Sequence, residues 1–313
     1  MITSIFSKSK PINFIVVFFI ITIACARSFT KIESDTTNIN TVLIFIALFL
    51  CSYFSMLVLN FVSSKNNLTQ TNSLEIILYG VFILMIPQTT ASLKLTLANV
   101  FLLFSIRRLI SLHSQKNIKK KLFDAAFWIG VSTLFYSWSI LFFVLIPVAI
   151  RLFTDNTLRN WLIPLVSIIT VFVIWYCLCF LCSYDAIGYL YHGFQVSLDF
   201  SAYNSIQFLV ASTLLFSFGF WSLLFYIKSI NKKKKALRPA FYLIIWAVAI
   251  AFLLLVIAPE KTGGEFLFMF APLAIIIANY IEIIREKWFK EVFFTVILLV
   301  PIALLLLQFF SKG

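Results

Sequence analysis

Two carboxylates and two cations lie within nine residues of one another near the N-terminus of the chain. Arg27, Lys31, Glu33 and Asp35 fall in the stretch RSFTKIESD, between two apolar segments. A carboxylate in a dry cleft can take a proton from an attacking hydroxyl group, and a basic side chain beside it can hold a phosphate leaving group. The segment is therefore the first candidate for a polar site, with Asp35 and Glu33 as its catalytic candidates.

The composition around this segment is that of a polytopic helical membrane protein. Of 313 residues, 62% are hydrophobic and only 12% are charged, whereas soluble domains carry about 25% charged residues. The net charge of +13 does not point to nucleic acid, because the basic residues lie in short segments between apolar runs, where they orient helices. With two histidines, the chain offers no metal site of a recognisable pattern, and the sequence does not identify a cofactor.

Eleven apolar segments define the predicted fold. They lie at about 11–27, 40–62, 74–87, 93–110, 122–136, 138–153, 160–182, 205–228, 238–258, 265–284 and 291–310. When the N-terminus is placed in the cytoplasm and the segments alternate, 20 of the 25 Lys and Arg residues fall on the inner side, as the positive-inside rule requires. We therefore predict an all-α, multi-pass bundle, a single domain over 1–313, in the cytoplasmic (inner) membrane of a bacterium.

Two pairs of these segments are too short for two full crossings. A crossing needs roughly 20 residues, and neither 74–110 nor 122–153 holds two crossings and a turn. Basic residues flank both ends of each pair, so each begins and ends on the inner side. Short or re-entrant hairpins satisfy both observations and predict a polar cavity open to the outside, since irregular backbone in a membrane must be covered by protein or water. The alternative is a short, tilted helix in a locally thinned bilayer.

The remaining polar candidates come from the other segments on the predicted outer side. Together with Arg27 and Lys31, the candidate substrate-binding residues are Lys94, Asp185, His192, Glu260, Lys261 and Glu265. The amides of Gly263 and Gly264 are placed to contact an anion at the start of the next helix. The alternative for each candidate is a solvated or internally paired charge. The inner acidic residues are expected beside cations at helix ends, without a further role.

The layout resembles the GT-C class of membrane glycosyltransferases, which use sugars linked to polyprenyl phosphate. The resemblance is carried by Glu33-Ser34-Asp35 in the first outer segment with Arg27 before it, and by the hairpins around Pro87–Lys94 and Phe123–Phe153. It implies that Asp35 or Glu33 activates an acceptor hydroxyl. It also implies that Arg27 or Lys261 contacts the phosphate of a polyprenyl-phosphate sugar donor.

The chain also resembles a family of uncharacterised polytopic proteins from gliding-type bacteria and their relatives. The residues that suggest it are Lys8–Asn13, Gly264–Phe268, Ala271–Ala274 and Asn279–Glu282. Membrane lipid is an expected partner, nucleic acid is not, and the sequence identifies no protein partner. Two alternatives to a glycosyltransferase stay open: a transporter or flippase with its site between the hairpins, and a non-catalytic assembly or scaffold protein.

Overall fold

Every regular element in the described part of the chain is a helix. The structure is a computed structural model that describes residues 3, 6, 8–30, 39–185, 188, 189 and 193–310. Within these ranges the α-helices are α1 (Pro11–Thr30), α2 (Ile39–Lys65), α3 (Leu74–Met85), α4 (Leu93–Ile110), α5 (Ile118–Phe135), α6 (Leu145–Phe153), α7 (Leu158–Leu181), α8 (Ile206–Ile230), α9 (Arg238–Ile257), α10 (Leu267–Ile283) and α11 (Lys287–Phe310). The all-α prediction is confirmed.

Eight helical stretches in the described ranges are long and apolar enough to cross a membrane. They are Pro11–Phe29, Ile39–Lys65, Leu93–Ser114, Leu158–Leu181, Ile206–Ile230, Arg238–Ile257, Gly264–Ile283 and Lys287–Leu306. Each approaches or exceeds the roughly 20 residues that a crossing requires. The protein is therefore a multi-pass helical membrane protein.

The two predicted short hairpins are both interrupted by 3₁₀-helix. In the first, α3 has 12 residues and is followed by the 3₁₀-helix Pro87–Thr90 before α4 begins. Proline disfavours helical backbone in the residue before it, and Ile86 accordingly has φ −125° and ψ 78°. In the second, the 3₁₀-helix Ser137–Val144 separates α5 from α6. Most helices begin and end within about three residues of the predicted segments. The exceptions are α5 and α11, which begin four residues earlier, at residues 118 and 287, and α6, which begins at residue 145 after the 3₁₀-helix.

The chain divides into two compact units. The first comprises Met1–Thr96, Phe200–Lys232 and Thr262–Gly313, and the second comprises Leu97–Asp199 and Lys233–Lys261. Most of α4 therefore belongs to the second unit, although its first turn belongs to the first.

Helices α3 and α10 form the interior of the first unit. Every residue of α3 is buried, and so is every residue of α10 from Leu267 to Ile281. The two helices contact each other, and α1, α2 and α11 also pack on α3 while α8 packs on α10. A pair of helices so enclosed can be apolar on all sides, which explains why neither has a polar face.

The pair is antiparallel, and each of its ends carries polar residues. At one end the 3₁₀-helix Pro87–Thr90, after α3, contacts the 3₁₀-helix Gly264–Phe266, before α10. At the other end, Glu282 of α10 accepts hydrogen bonds from the segment that precedes α3. The predicted topology places the first end on the outer side of the membrane and the second on the inner side.

The second unit is built on the parallel pair α5 and α7. Ser167 of α7 donates to the backbone oxygen of Phe123 in α5 at 2.8 Å. Further along both helices, a Cβ atom at Gly130 would lie 3.2 Å from Val171, so the glycine permits close helix contact. Helix α9 packs on α6 and on the 3₁₀-helix Ser137–Val144.

Candidate polar site at the ends of helices α3 and α10

Four of the predicted site residues lie outside the described part of the chain: Lys31, Glu33, Asp35 and His192. The two catalytic candidates are among them. In the sequence they fall between Thr30, the last residue of α1, and Ile39, the first residue of α2. Their assignment as catalytic residues therefore stays a prediction.

The other six candidates are divided between the two units. Arg27, Lys94 and Glu265 belong to the first unit, and Asp185, Glu260 and Lys261 belong to the second. The side chains of Lys94, Asp185 and Glu260 are exposed. Asp185 Oδ1 accepts a hydrogen bond from the Gly188 amide at 3.0 Å, so this carboxylate stabilises the backbone of its own segment.

Lys261 follows α9 in the sequence, and its side chain caps the C-terminal end of that helix. Its side chain is buried, and Nζ donates to the backbone oxygens of Leu255 at 2.8 Å and Val256 at 2.7 Å. These carbonyls belong to the last turn of α9, where backbone oxygens have no partner within the helix. A cation at this position also interacts favourably with the helix dipole. Lys261 therefore stabilises the C-terminal end of α9.

Glu265 is the most completely hydrogen-bonded of the predicted site residues that the structure describes. Its side chain is 1% exposed. Oε1 accepts from the Thr262 amide at 3.2 Å and the Thr262 hydroxyl at 3.0 Å. Oε2 accepts from the Gly263 amide at 2.9 Å and the Tyr203 hydroxyl at 3.2 Å. Four donors converge on one carboxylate, and these hydrogen bonds offset part of the cost of burying it.

The local sequence explains this arrangement. Thr262 and Glu265 have the T-x-x-E spacing of a capping box, in which the acidic side chain reaches back to the first amide of a helix. The Thr262 hydroxyl in turn accepts from the Gly264 amide at 3.3 Å. Gly263 has φ +87°, and a side chain there would collide with the ring of Phe208, so the position requires glycine. The anion predicted at the two glycine amides is therefore replaced at Gly263 by the carboxylate of Glu265 itself, while the Gly264 amide donates to Thr262.

Further polar groups lie at the same end of the first unit. The Ser28 hydroxyl in the last turn of α1 is 2.9 Å from the Thr90 hydroxyl, and the half-buried Arg27 precedes Ser28. Gln88 Oε1 is buried and accepts no hydrogen bond from the described residues. We refer to Arg27, Ser28, Gln88, Thr90, Tyr203 and Glu265 as the outer polar end.

The sequence prediction missed a second polar cluster, which lies at the opposite end of the α3–α10 pair. Glu282 Oε1 accepts from the Gln70 amide at 2.8 Å and from Asn72 Nδ2 at 2.7 Å. Asn279 Nδ2 donates to the backbone oxygen of Leu68 at 2.8 Å. We refer to Gln70, Asn72, Glu75, Asn279 and Glu282 as the inner polar end.

Glu75 is the unusual member of the inner polar end. It is 1% exposed, and its Oε2 has no hydrogen-bond partner in the described part of the protein. The charged group that acts on it is the carboxylate of Glu282. The prediction that inner acidic residues lie beside cations is therefore wrong for Glu75. The same prediction agrees with the structure at Asp124, whose Oδ2 is 3.1 Å from Arg108 Nη2.

A signal for Glu75 was present in the sequence. The residue is one position inside the apolar run of α3, and the nearest basic residue along the chain is Lys65, ten positions earlier. Placing an acidic residue inside a membrane segment costs free energy, and such a residue is by default a candidate functional residue. The predicted side of the membrane alone does not distinguish Glu75 from the other inner acidic residues.

The comparisons with known proteins bear on the family and not on the activity. Among the described residues, no group of three His, Cys, Asp or Glu side chains is arranged to hold a metal ion. No curated protein and no solved structure matches the chain. A family model matches residues 1–312, which is nearly the whole length. The chain therefore belongs to the family described as a family of unknown function, DUF6427.

Proposed function

We propose that the protein is a GT-C-like membrane glycosyltransferase that uses a polyprenyl-phosphate-linked sugar at the outer face of the membrane. One observation supports this most directly. The interrupted arm α3 ends in the polar 3₁₀-helix Pro87–Thr90, and this 3₁₀-helix contacts α1. In the sequence, the acidic segment with Glu33 and Asp35 comes directly after α1. Polar backbone at a break in a membrane helix is where transmembrane proteins commonly place a substrate.

The proposed reaction combines the acidic segment with groups at this end of the first unit. Asp35 or Glu33 takes the proton of the acceptor hydroxyl as its oxygen attacks the anomeric carbon. The bond from that carbon to the phosphate oxygen breaks, and polyprenyl phosphate leaves with the bonding electron pair. Arg27 contacts the phosphate and stabilises its developing charge. Gln88 Oε1 is buried and accepts no hydrogen bond from the described residues; in this proposal it accepts one from a sugar hydroxyl after the donor displaces the groups that cover it.

Glu265 and Lys261 have a different role in this proposal from the one that the sequence suggested. Both are buried, and both make hydrogen bonds within their own unit. Glu265 fixes the turn before α10 against Tyr203, and the turn contacts the 3₁₀-helix that carries Gln88. It is therefore a positioning residue, and it does not contact the substrate.

The test is donor turnover by purified protein in liposomes. The probes are undecaprenyl-phosphate-linked radiolabelled hexose, pentose and amino sugar, each supplied with an extract of native membranes as the source of the acceptor hydroxyl. The readout is the release of undecaprenyl phosphate that depends on the added protein. General-base catalysis contributes about 100-fold to 10,000-fold, so Asp35→Asn or Glu33→Gln should lower the rate by at least about 100-fold. Asp155→Asn, which removes an exposed acidic residue of the second unit, should leave the rate unchanged.

Two results would overturn the proposal. One is a wild-type protein that releases no undecaprenyl phosphate from any of the three donors. The other is a rate that is unchanged by both Asp35→Asn and Glu33→Gln.

A second candidate function is a non-catalytic membrane assembly protein. The observation that favours it is that the buried charges of Glu265 and Lys261 are used to build the fold. This candidate predicts that substitutions of the outer acidic residues have no effect on glycan transfer in cells. It also predicts that the protein co-purifies from native membranes with a constant set of partners.

A further inference from the structure

The second unit carries a groove with two basic residues at one end and apolar side chains along its length. Its volume is about 280 Å³, and it lies between α5 and α7. The lining residues are Lys119, Phe123, Arg159, Leu162, Ile163 and Val166. We refer to it as the basic groove.

The order of residues along the basic groove follows from the helix repeat. On α7, Leu162, Ile163 and Val166 lie three, four and seven positions after Arg159, and these spacings bring residues to one face of a helix. On α5, Phe123 lies four positions after Lys119. Because α5 and α7 run parallel, the two cations lie at the same end and the apolar side chains follow them in the same direction.

Both cations are available to a ligand. Lys119 and Arg159 are exposed, and neither side chain makes a hydrogen bond or an ion pair with any residue that the structure describes. The apolar part of the groove is also open, since Leu162 and Val166 are each 57% exposed. An exposed apolar surface on a membrane helix is a surface for acyl chains.

We propose that the basic groove binds one anionic glycerophospholipid. The headgroup phosphate contacts Lys119 and Arg159, and one acyl chain lies against Phe123, Leu162 and Val166. Charge complementarity selects an anionic headgroup over a zwitterionic one. The volume is near the lower limit of about 300 Å³ for ligand pockets, which suits the upper part of one chain and not a whole lipid. This inference is independent of the proposed glycosyltransferase activity.

The predicted topology agrees with such a ligand. Lys119 and Arg159 both fall on the inner side of the membrane when the N-terminus is cytoplasmic. The inner leaflet carries a negative surface potential from its anionic lipids, which attracts basic residues next to membrane helices. The basic groove differs from a simple topology signal because its two cations come from different helices and lead into one apolar surface.

Native mass spectrometry of the full-length protein in detergent tests the proposal. The probes are phosphatidylglycerol and phosphatidylethanolamine with identical acyl chains, added at equal concentrations. We expect one molecule of phosphatidylglycerol to be retained in preference to phosphatidylethanolamine. Each basic residue near an anionic lipid contributes roughly a five-fold factor. The double variant Lys119→Gln/Arg159→Gln should therefore weaken the retention of phosphatidylglycerol by about 30-fold.

The matched control is the double variant Lys120→Gln/Arg151→Gln. It removes the same charge from two exposed residues of the same unit that do not line the basic groove. It should retain phosphatidylglycerol within about two-fold of the wild-type protein, because the lost charges do not contact the headgroup. Equal losses in the two double variants would show general electrostatic attraction and would overturn the proposal.

Two further measurements separate the possible ligands. Soluble glycerol phosphate, at the concentration of the lipid, should not displace phosphatidylglycerol, because it lacks the acyl chain. Val166→Trp should weaken phosphatidylglycerol retention by filling the apolar part of the groove while both cations remain. Displacement by glycerol phosphate, or full retention by Val166→Trp, would show a free-anion site and not a lipid site.

Discussion

Glu75 and Glu265 lie at opposite ends of the same pair of buried helices, and their surroundings are opposite in kind. Both are 1% exposed. The carboxylate of Glu265 accepts four hydrogen bonds. Glu75 interacts only with its own backbone and Thr69 among the described residues, its Oε2 accepts no hydrogen bond from them, and its charged neighbour is Glu282. Burying a charge is costly unless hydrogen bonds or an opposite charge compensate it. Equal burial therefore has different consequences: the hydrogen bonds of Glu265 stabilise the outer polar end, and a charge on Glu75 would destabilise the inner one.

The largest effect that this comparison predicts is for Glu265→Ala. The substitution leaves the amides of Thr262 and Gly263 and the hydroxyl of Tyr203 without their acceptor. Because each unsatisfied buried polar group costs about 1–3 kcal/mol, we expect the free energy of unfolding to fall by about 3–5 kcal/mol. Denaturant unfolding in detergent micelles measures it. Glu260→Ala, at an exposed position nearby in the sequence, should change the same quantity by less than about 0.5 kcal/mol.

The next effect concerns the backbone that holds this carboxylate. Gly263 has φ +87°, and its amide donates to Glu265. Gly263→Ala should destabilise the protein by about 2 kcal/mol, because a residue with a side chain is strained at this φ and the new methyl group would meet the ring of Phe208. Thermal unfolding in detergent is the measurement. Thr262→Ser, which keeps both donors of Thr262, is the control, and equal stability of the two variants would contradict the prediction.

A smaller effect is expected for Tyr203→Phe, which removes one of the four donors. The Tyr203 hydroxyl is 3.2 Å from Glu265 Oε2. A hydrogen bond to a charged group contributes up to about 3 kcal/mol to the free energy of unfolding. Three donors remain, so we expect a loss of about 1 kcal/mol. The same unfolding measurement applies. If Tyr203→Phe cost as much as Glu265→Ala, the carboxylate would depend on this one contact and not on the capping box.

The architecture was predictable because it depends on properties that can be counted along the chain. Apolar length and the distribution of basic residues identified the membrane segments. The shortness of 74–110 and 122–153 indicated interrupted hairpins, and the structure has 3₁₀-helix in both. Proline at position 87 and the extended backbone at Tyr136 mark the interruptions. Local sequence rules are sufficient for such features.

The roles of individual charges were harder to predict because burial depends on residues far apart in the sequence. The capping box of Thr262 and Glu265 is local and could have been recognised from its spacing. The Tyr203 hydroxyl, by contrast, is 62 positions from its acceptor. Glu75 is buried because α1, α2, α10 and α11 pack around α3. The residue pattern within α3 does not predict this packing. The sequence indicates that charges lie near the membrane surface but not which of them are compensated.

The smallest predicted effect is the most discriminating one, because it compares the same substitution at the two buried glutamates. Glu75→Gln keeps the shape of the side chain and its ability to interact with Thr69, and it removes the repulsion by Glu282. We therefore expect the free energy of unfolding to stay within about 0.5 kcal/mol of the wild-type value or to rise. Glu265→Gln should instead lower it by about 2 kcal/mol, because the amide turns an N–H group toward existing donors. Unfolding of both variants in one detergent gives the difference directly. Equal losses at the two positions would mean that Glu75 is compensated as well as Glu265, and the proposed contrast between the two ends of α3 and α10 would be wrong.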